Sequence, residues 1–265
     1  MSERWRSKAA RALLARLGHT DMRVAMRTLT ATLLDGIDSP PTDLHGIASR
    51  LGIPIIEESI GGSGALRRTP DGLQIVCNPK QRLPRRRFTI AHELGHAIIE
   101  TSGDSFNQNT KETERLCDLF AVELLMPERY FREHLPQNVT LTGIRALAAQ
   151  YQTSLQTTAY RCAELTNVTI VEANNGGFGR PHGQLQRTNL ADVLLDESLQ
   201  ALAKRACKGE AGTTQLYLTH QYSVRQWDVQ YHPLGSERAL FLLTPMRTQQ
   251  ARNDIANAID DTGDV

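Results

Sequence analysis

The sequence has almost no net charge, no paired cysteines and no long apolar run, and each lack removes a class of function. Lys and Arg number 30 against 29 Asp and Glu, a balance of +1. The chain as a whole therefore calls for neither a nucleic-acid backbone nor an anionic membrane as partner, and either would need a local patch. The four cysteines, Cys77, Cys117, Cys162 and Cys207, are scattered without a C-x-x-C pair. That argues against a thiolate zinc site and a disulfide framework, and it fits a reducing, cytoplasmic setting. No stretch approaches the ~20 apolar residues of a membrane span. Arg11 and Arg16 interrupt the Ala- and Leu-rich start, where a secretory signal needs an unbroken apolar core. The expectation is a cytoplasmic protein with no membrane partner, and nothing specifies an oligomeric state.

At 265 residues the chain can hold a catalytic domain and a smaller second unit, each with its own core. Trp5, Leu13, Leu14, Leu17, Met26, Leu29 and Leu33 recur at near-helical spacing among arginines, which predicts one or two packing helices over residues 1–38. Pro40-Pro41 breaks the chain, Asp43 can cap a helix whose apolar face is Leu44, Ile47, Ala48 and Leu51, and Gly52 ends it. A strand is expected at Ile53 to Glu57. Pro70-Asp71-Gly72 predicts a hairpin between Ala65–Arg68 and Leu73–Val76. Two helices follow, over Phe88 to Glu100 and over Glu112 to Met126, the second stopped by Pro127. Residues 142–165 read as a helix pair joined near Thr153-Ser154. The run Asn174 to Pro181 is the candidate linker, followed by a helix over Leu190 to Lys208, strands near Leu216, Val224 and Ala239, and a fraying tail from Arg247.

The chemistry lies in His92-Glu93-Leu94-Gly95-His96. On a helix the two imidazoles, four positions apart, project from one face and can grip one ion. Neutral imidazole is a good zinc ligand, and Glu93 beside the first His can reach a water polarised by the ion, which makes it the candidate general base. The pattern also arises by chance, so its weight depends on the second helix. There Glu114 and Asp118 lie four apart and share a face. A catalytic zinc needs a third protein ligand and an open position, and Glu114 can complete a His2Glu set. Asp118, one turn on, is placed to accept the other N–H of His92 and orient it. Glu112 is the competing third ligand, on a different face from Asp118. Manganese suits a His2Glu set less well than zinc.

Arg87-Phe88-Thr89-Ile90-Ala91-His92-Glu93-Leu94-Gly95-His96-Ala97, followed by Glu114 through Met126-Pro127, resembles the ImmA/IrrE family of gluzincin-type metallopeptidases. The resemblance covers roughly Leu44 to Leu165. Members more often carry Ala-Asn where this chain has Cys117-Asp118, but Asp keeps the hydrogen-bonding role. The resemblance implies an endopeptidase that cleaves a helix-turn-helix repressor and so derepresses stress-response or mobile-element genes. It also implies a sensor-like, GAF-like domain towards the C-terminus. No motif beyond Asn174 secures that domain.

The expected fold is α+β: a mainly helical zincin-like catalytic domain over 39–170 with a small antiparallel sheet, then a smaller α+β domain over 171–265. Rival readings remain. The metal can staple helices in a non-catalytic sensor or binding module, or the helix pair 142–165 can bind DNA. Arg145 and Arg161 are the only basic residues in that pair, too few for the phosphate contacts that dominate such affinity, so direct DNA binding is not expected. Lys80, Arg82, Arg85, Arg86 and Arg87 form a basic run that reads as a solvated face before it reads as a docking patch. Tyr130, His134, His182, His220 and His232 are candidate oxyanion stabilisers, a role the site needs but for which sequence selects none of them.

Overall fold

A computed structural model describes residues 5–36, 39–100, 111–183, 194, 196–220 and 223–246. The chain divides into two compact units, Met1–Leu135 with Ala146–Thr157, and Pro136–Arg145 with Thr158–Val265.

In the first unit α1 (Lys8–Leu17) starts at Ser7, whose hydroxyl caps Ala10, and ends at left-handed Gly18. Helix α2 (Met22–Ala31) is capped by Asp21, and α3 (Leu44–Arg50) by Asp43, as its position before the apolar face requires. Strands β1 (Ile55–Glu57), β2 (Gly64–Thr69) and β3 (Gly72–Cys77) form a sheet in the order β1-β3-β2. The β2–β3 hairpin is antiparallel as expected, but β1 adds parallel to β3, so the small sheet is mixed. Helices α4 (Leu83–Glu100) and α5 (Lys111–Leu125) pack against each other, and α6 (Glu128–His134) follows Pro127. Leu94, Ala97, Leu116, Phe120 and Leu124 are fully buried in this unit.

Helices α7 (Leu141–Tyr151) and α8 (Leu155–Leu165) each contribute residues to both units. In the second unit β4 (Thr169–Asn174), β5 (Gly177–Phe178), β7 (Gly212–His220), β8 (Ser223–Gly235) and β9 (Arg238–Pro245) form a sheet in the order β5-β4-β9-β8-β7, with β6 (His182–Gly183) also on β4. Helix α9 (Glu197–Cys207) buries Leu199, Leu202, Ala203 and Ala206 in a cluster with Trp227, Val229 and Phe241. The Asn174 to Pro181 run, expected to link domains, instead turns a hairpin. Asn175 (φ 49) and Gly176 (φ 78) are both left-handed between Asn174 and its partner Gly177. That is the two-residue turn whose twist suits antiparallel strands. The start of the expected helix at Leu190 and the tail from Arg247 lie outside the described residues. The α+β class holds, helices dominating the first unit and sheet the second. Among the described residues no helix is long and apolar enough to cross a membrane.

Candidate metal centre

Helix α4 presents His92, Glu93 and His96; α5 presents Glu114 and Asp118. The two helices approach closely because Gly95 faces α5. A Cβ there would stand 3.1 Å from Phe120 Cδ1 and 3.3 Å from the Cys117 Cα. The imidazoles converge, with His92 Nε2 3.2 Å from His96 Nε2. The Glu114 carboxylate straddles them, Oε2 3.3 Å from His92 Nε2 and Oε1 3.4 Å from His96 Nε2. On the far side of the ring His92 Nδ1–H donates to Asp118 Oδ1 at 2.9 Å, which leaves Nε2 as a lone pair facing the carboxylate. A tetrahedral zinc ion with N and O donors at about 2.0–2.2 Å has donor–donor edges of about 3.3–3.6 Å. The two imidazole nitrogens and the Glu114 carboxylate lie close enough to converge on one ion, each carboxylate oxygen being nearest a different ring.

Two other side chains compete for the third position. Glu112 does not face the imidazoles: its Oε1 and Oε2 accept the backbone N–H groups of Arg6 (2.8 Å) and Ser7 (2.6 Å). Cys117 does, since its thiol and one nitrogen of each His lie within 4.8 Å of one another. Burial pushes that thiol well above its ordinary range, with the charges of Glu114, Glu93 and Asp118 adding to the effect. A bound ion would oppose that rise by favouring the thiolate, so Glu114, 3.3 and 3.4 Å from the two rings, and Cys117 are both within reach of the third position.

Electrostatics separate the two histidines. Burial alone lowers His92, but the hydrogen bond and charge of Asp118, with Glu93 and Glu114, outweigh it and raise the group. His96 is lowered, by burial first and then by His92. Glu93 is raised by burial, against the opposing pull of His92 and of the Leu66 backbone N–H that it accepts. Strand β2 reaches Glu93 because Gly64 lies flat on α4. A Cβ at that position would meet Thr89 Cγ2 at 2.2 Å and the Val76 carbonyl oxygen at 2.9 Å.

In comparison with known proteins, residues 48–163, less than half of the chain, match the family model described as Peptidase_M78, IrrE N-terminal-like domain. That segment resembles an IrrE N-terminal-like domain. It is similar to the radiation response metalloprotease IrrE of Deinococcus radiodurans, 29% identical over 199 residues, which is 71% of this chain and 60% of that protein. The same-named protein of Deinococcus deserti is 30% identical over 166 residues, 57% of each chain. The chain thus spans about 60% of the length of these relatives. A Mycobacterium tuberculosis transcriptional regulator shares the fold at a TM-score of 0.57 and 16% identity, over 89% of this chain and 80% of that one.

Against this family frame, all five residues singled out by spacing, His92, Glu93, His96, Glu114 and Asp118, gather at one place on the α4–α5 pair. Three of the candidate oxyanion donors make contacts other than with the imidazoles. Tyr130 lies under the Arg129 guanidinium (4.2 Å). His134 Nδ1 and the Tyr151 hydroxyl are hydrogen-bonded at 2.7 Å. His182 packs on Tyr160, with ring centroids 4.1 Å apart, and His232 is lowered by burial and by Arg145. The side chain of His220 lies outside the described residues. The basic run is partly spent inside the first unit, Arg85 on Ser63 (3.0 Å), Arg86 on Glu57 (3.2 Å) and Arg87 on the Thr42 carbonyl (2.8 Å). Arg161 is 2% exposed and paired with Glu164 at 3.1 Å, out of reach of a phosphate backbone. Sequence reasoning missed Gly64, Gly95 and Leu66. A glycine inside the His-Glu motif and another at the end of a glycine cluster were the signals for close backbone approach.

Proposed function

We propose that this protein is a zinc-dependent endopeptidase in which His92, His96 and Glu114 hold the metal, Asp118 orients His92, and Glu93 is the general base. The convergence of two imidazoles and one carboxylate, with contacts of 3.2, 3.3 and 3.4 Å, carries the reading. The ion, when bound, supplies Lewis-acid polarisation of a water and of the scissile carbonyl. Glu93 takes the proton of that water on a carboxylate oxygen and returns it to the leaving amide nitrogen. Its burial, which raises its basicity, suits it to both roles. The Leu66 N–H and the His92–Asp118 bond hold the base and the first ligand in place, so little reorganisation remains for the reaction itself.

For substrate we propose a helix-turn-helix repressor in the cytoplasm, with catalysis in the segment around 39–170 and a sensor or partner-binding role for the chain from 171 onward. The family resemblance supports the substrate class, and the fold shared with a protein described as a transcriptional regulator is compatible with it. The test is Glu93→Gln in the purified full chain, incubated with the repressor encoded beside it and followed by intact mass. We expect full zinc occupancy and no cleavage, and retained cleavage would sink the mechanism. Cys117 favours one rival, a metal-stapled module closed by a fourth protein ligand. A sulfur scatterer on zinc in X-ray absorption would establish that rival.

A further inference from the structure

The N-terminal helices lie outside the family-matched segment 48–163, yet they are fastened to the helix that carries the third ligand. Three contacts do this. Glu112 accepts two backbone N–H groups at the start of α1, at 2.8 Å and 2.6 Å. The Arg115 guanidinium lies 5.3 Å from the centre of the Trp5 ring, which is only 9% exposed. Helix α2, with Met22, Ala25 and Met26 buried, packs along α5. Successive helical residues turn by about 100°, so Glu112 and Glu114 point about 200° apart. One side of α5 thus holds the N-terminal segment and the opposite side faces the imidazoles.

We propose that the segment from Trp5 to Leu34 is a positioning clamp: by gripping Glu112 and Arg115 it sets the rotation of α5 and thereby aims Glu114 and Asp118 at His92. Glu112 touches neither metal nor substrate and acts only through its own helix. The proposal rests on the metal-centre reading above, and its readout is metal affinity rather than cleavage.

The test uses the full chain stripped of metal, with zinc affinity measured by competition against a chromophoric chelator and the visible spectrum taken after cobalt loading. Glu112→Ala and Trp5→Ala should each weaken zinc binding by about fivefold, short of the 10–100-fold typical of losing a group bonded to a ligand itself. Glu112→Gln, which keeps one acceptor, should fall between them and the unaltered chain, and the cobalt bands should change with affinity. Phe131→Leu, which disturbs the Phe131–Tyr151 ring pair in the same unit, should lower Tm and leave affinity unchanged. Glu112→Gln and Trp5→Phe carry the test if the alanine variants do not fold. Unchanged affinity and cobalt bands in the clamp variants overturn the proposal, as does an equal loss in Phe131→Leu, which would make the effect one of general stability. If the unaltered chain binds neither ion, both the clamp and the metal centre fall.

Discussion

Replacing Asp118 with Ala removes the acceptor 2.9 Å from His92 Nδ1 and nothing else at the centre. The imidazole then loses its reason to keep the proton on Nδ1. The alternative tautomer, protonated on Nε2, offers a donor where the metal needs a lone pair. Loss of such a partner typically lowers metal affinity 10–100-fold, or about 1.4–2.7 kcal/mol. The Asp118 side chain is 55% exposed, so water can replace part of the bond and the lower end is expected, about tenfold. Asp118→Asn keeps an acceptor oxygen and should cost about threefold or less. Zinc competition at fixed pH and ionic strength measures both, with circular dichroism of the metal-free chain as the check on folding. If Asp118→Ala binds zinc within about twofold of the unaltered chain while His92→Ala abolishes binding, the orienting role assigned to Asp118 is wrong.

Zinc must displace a proton from His92 below its raised pKa, so zinc affinity should hold at the alkaline end and fall as pH drops through that value, by up to about tenfold per pH unit. In the metal-free chain the sign reverses. The raised group stabilises the fold fully below its ordinary value of 6.5, and that contribution is lost as pH rises through the folded pKa; urea melts across the range read it. Gly95→Ala forces a Cβ to 3.1 Å from Phe120 Cδ1, so α4 and α5 must part slightly. After a helix-propensity gain of about 1 kcal/mol, a net loss of about 1–2 kcal/mol is expected, with weaker zinc binding. In the second unit Phe241→Ala removes a ring that is fully buried between Phe178 and Tyr231 and should cost about 3–5 kcal/mol by denaturant unfolding.

What was legible in the sequence was local. Asp43 before an apolar stripe, Pro70-Asp71-Gly72 between alternating runs and Pro127 after an apolar helix all mark features decided within a few residues, and each element appears where expected. Asn175-Gly176 was equally local and was misread as a linker, although both residues tolerate the left-handed backbone that a tight hairpin demands. The parallel addition of β1 to β3 was not legible, because the partner lies across the intervening strand β2 and no spacing rule connects them.

The sequence by itself determined which residues could serve: a helical repeat of four puts His92 with His96 and Glu114 with Asp118 on single faces, whatever those faces meet. Only the tertiary structure decided that the two faces meet each other, that Glu114 and not Glu112 straddles the imidazoles, and that Leu66 reaches Glu93. The reason is physical. Helical periodicity fixes directions within one element, whereas the distance between elements depends on side-chain volume at their contact, here on the missing Cβ atoms of Gly95 and Gly64.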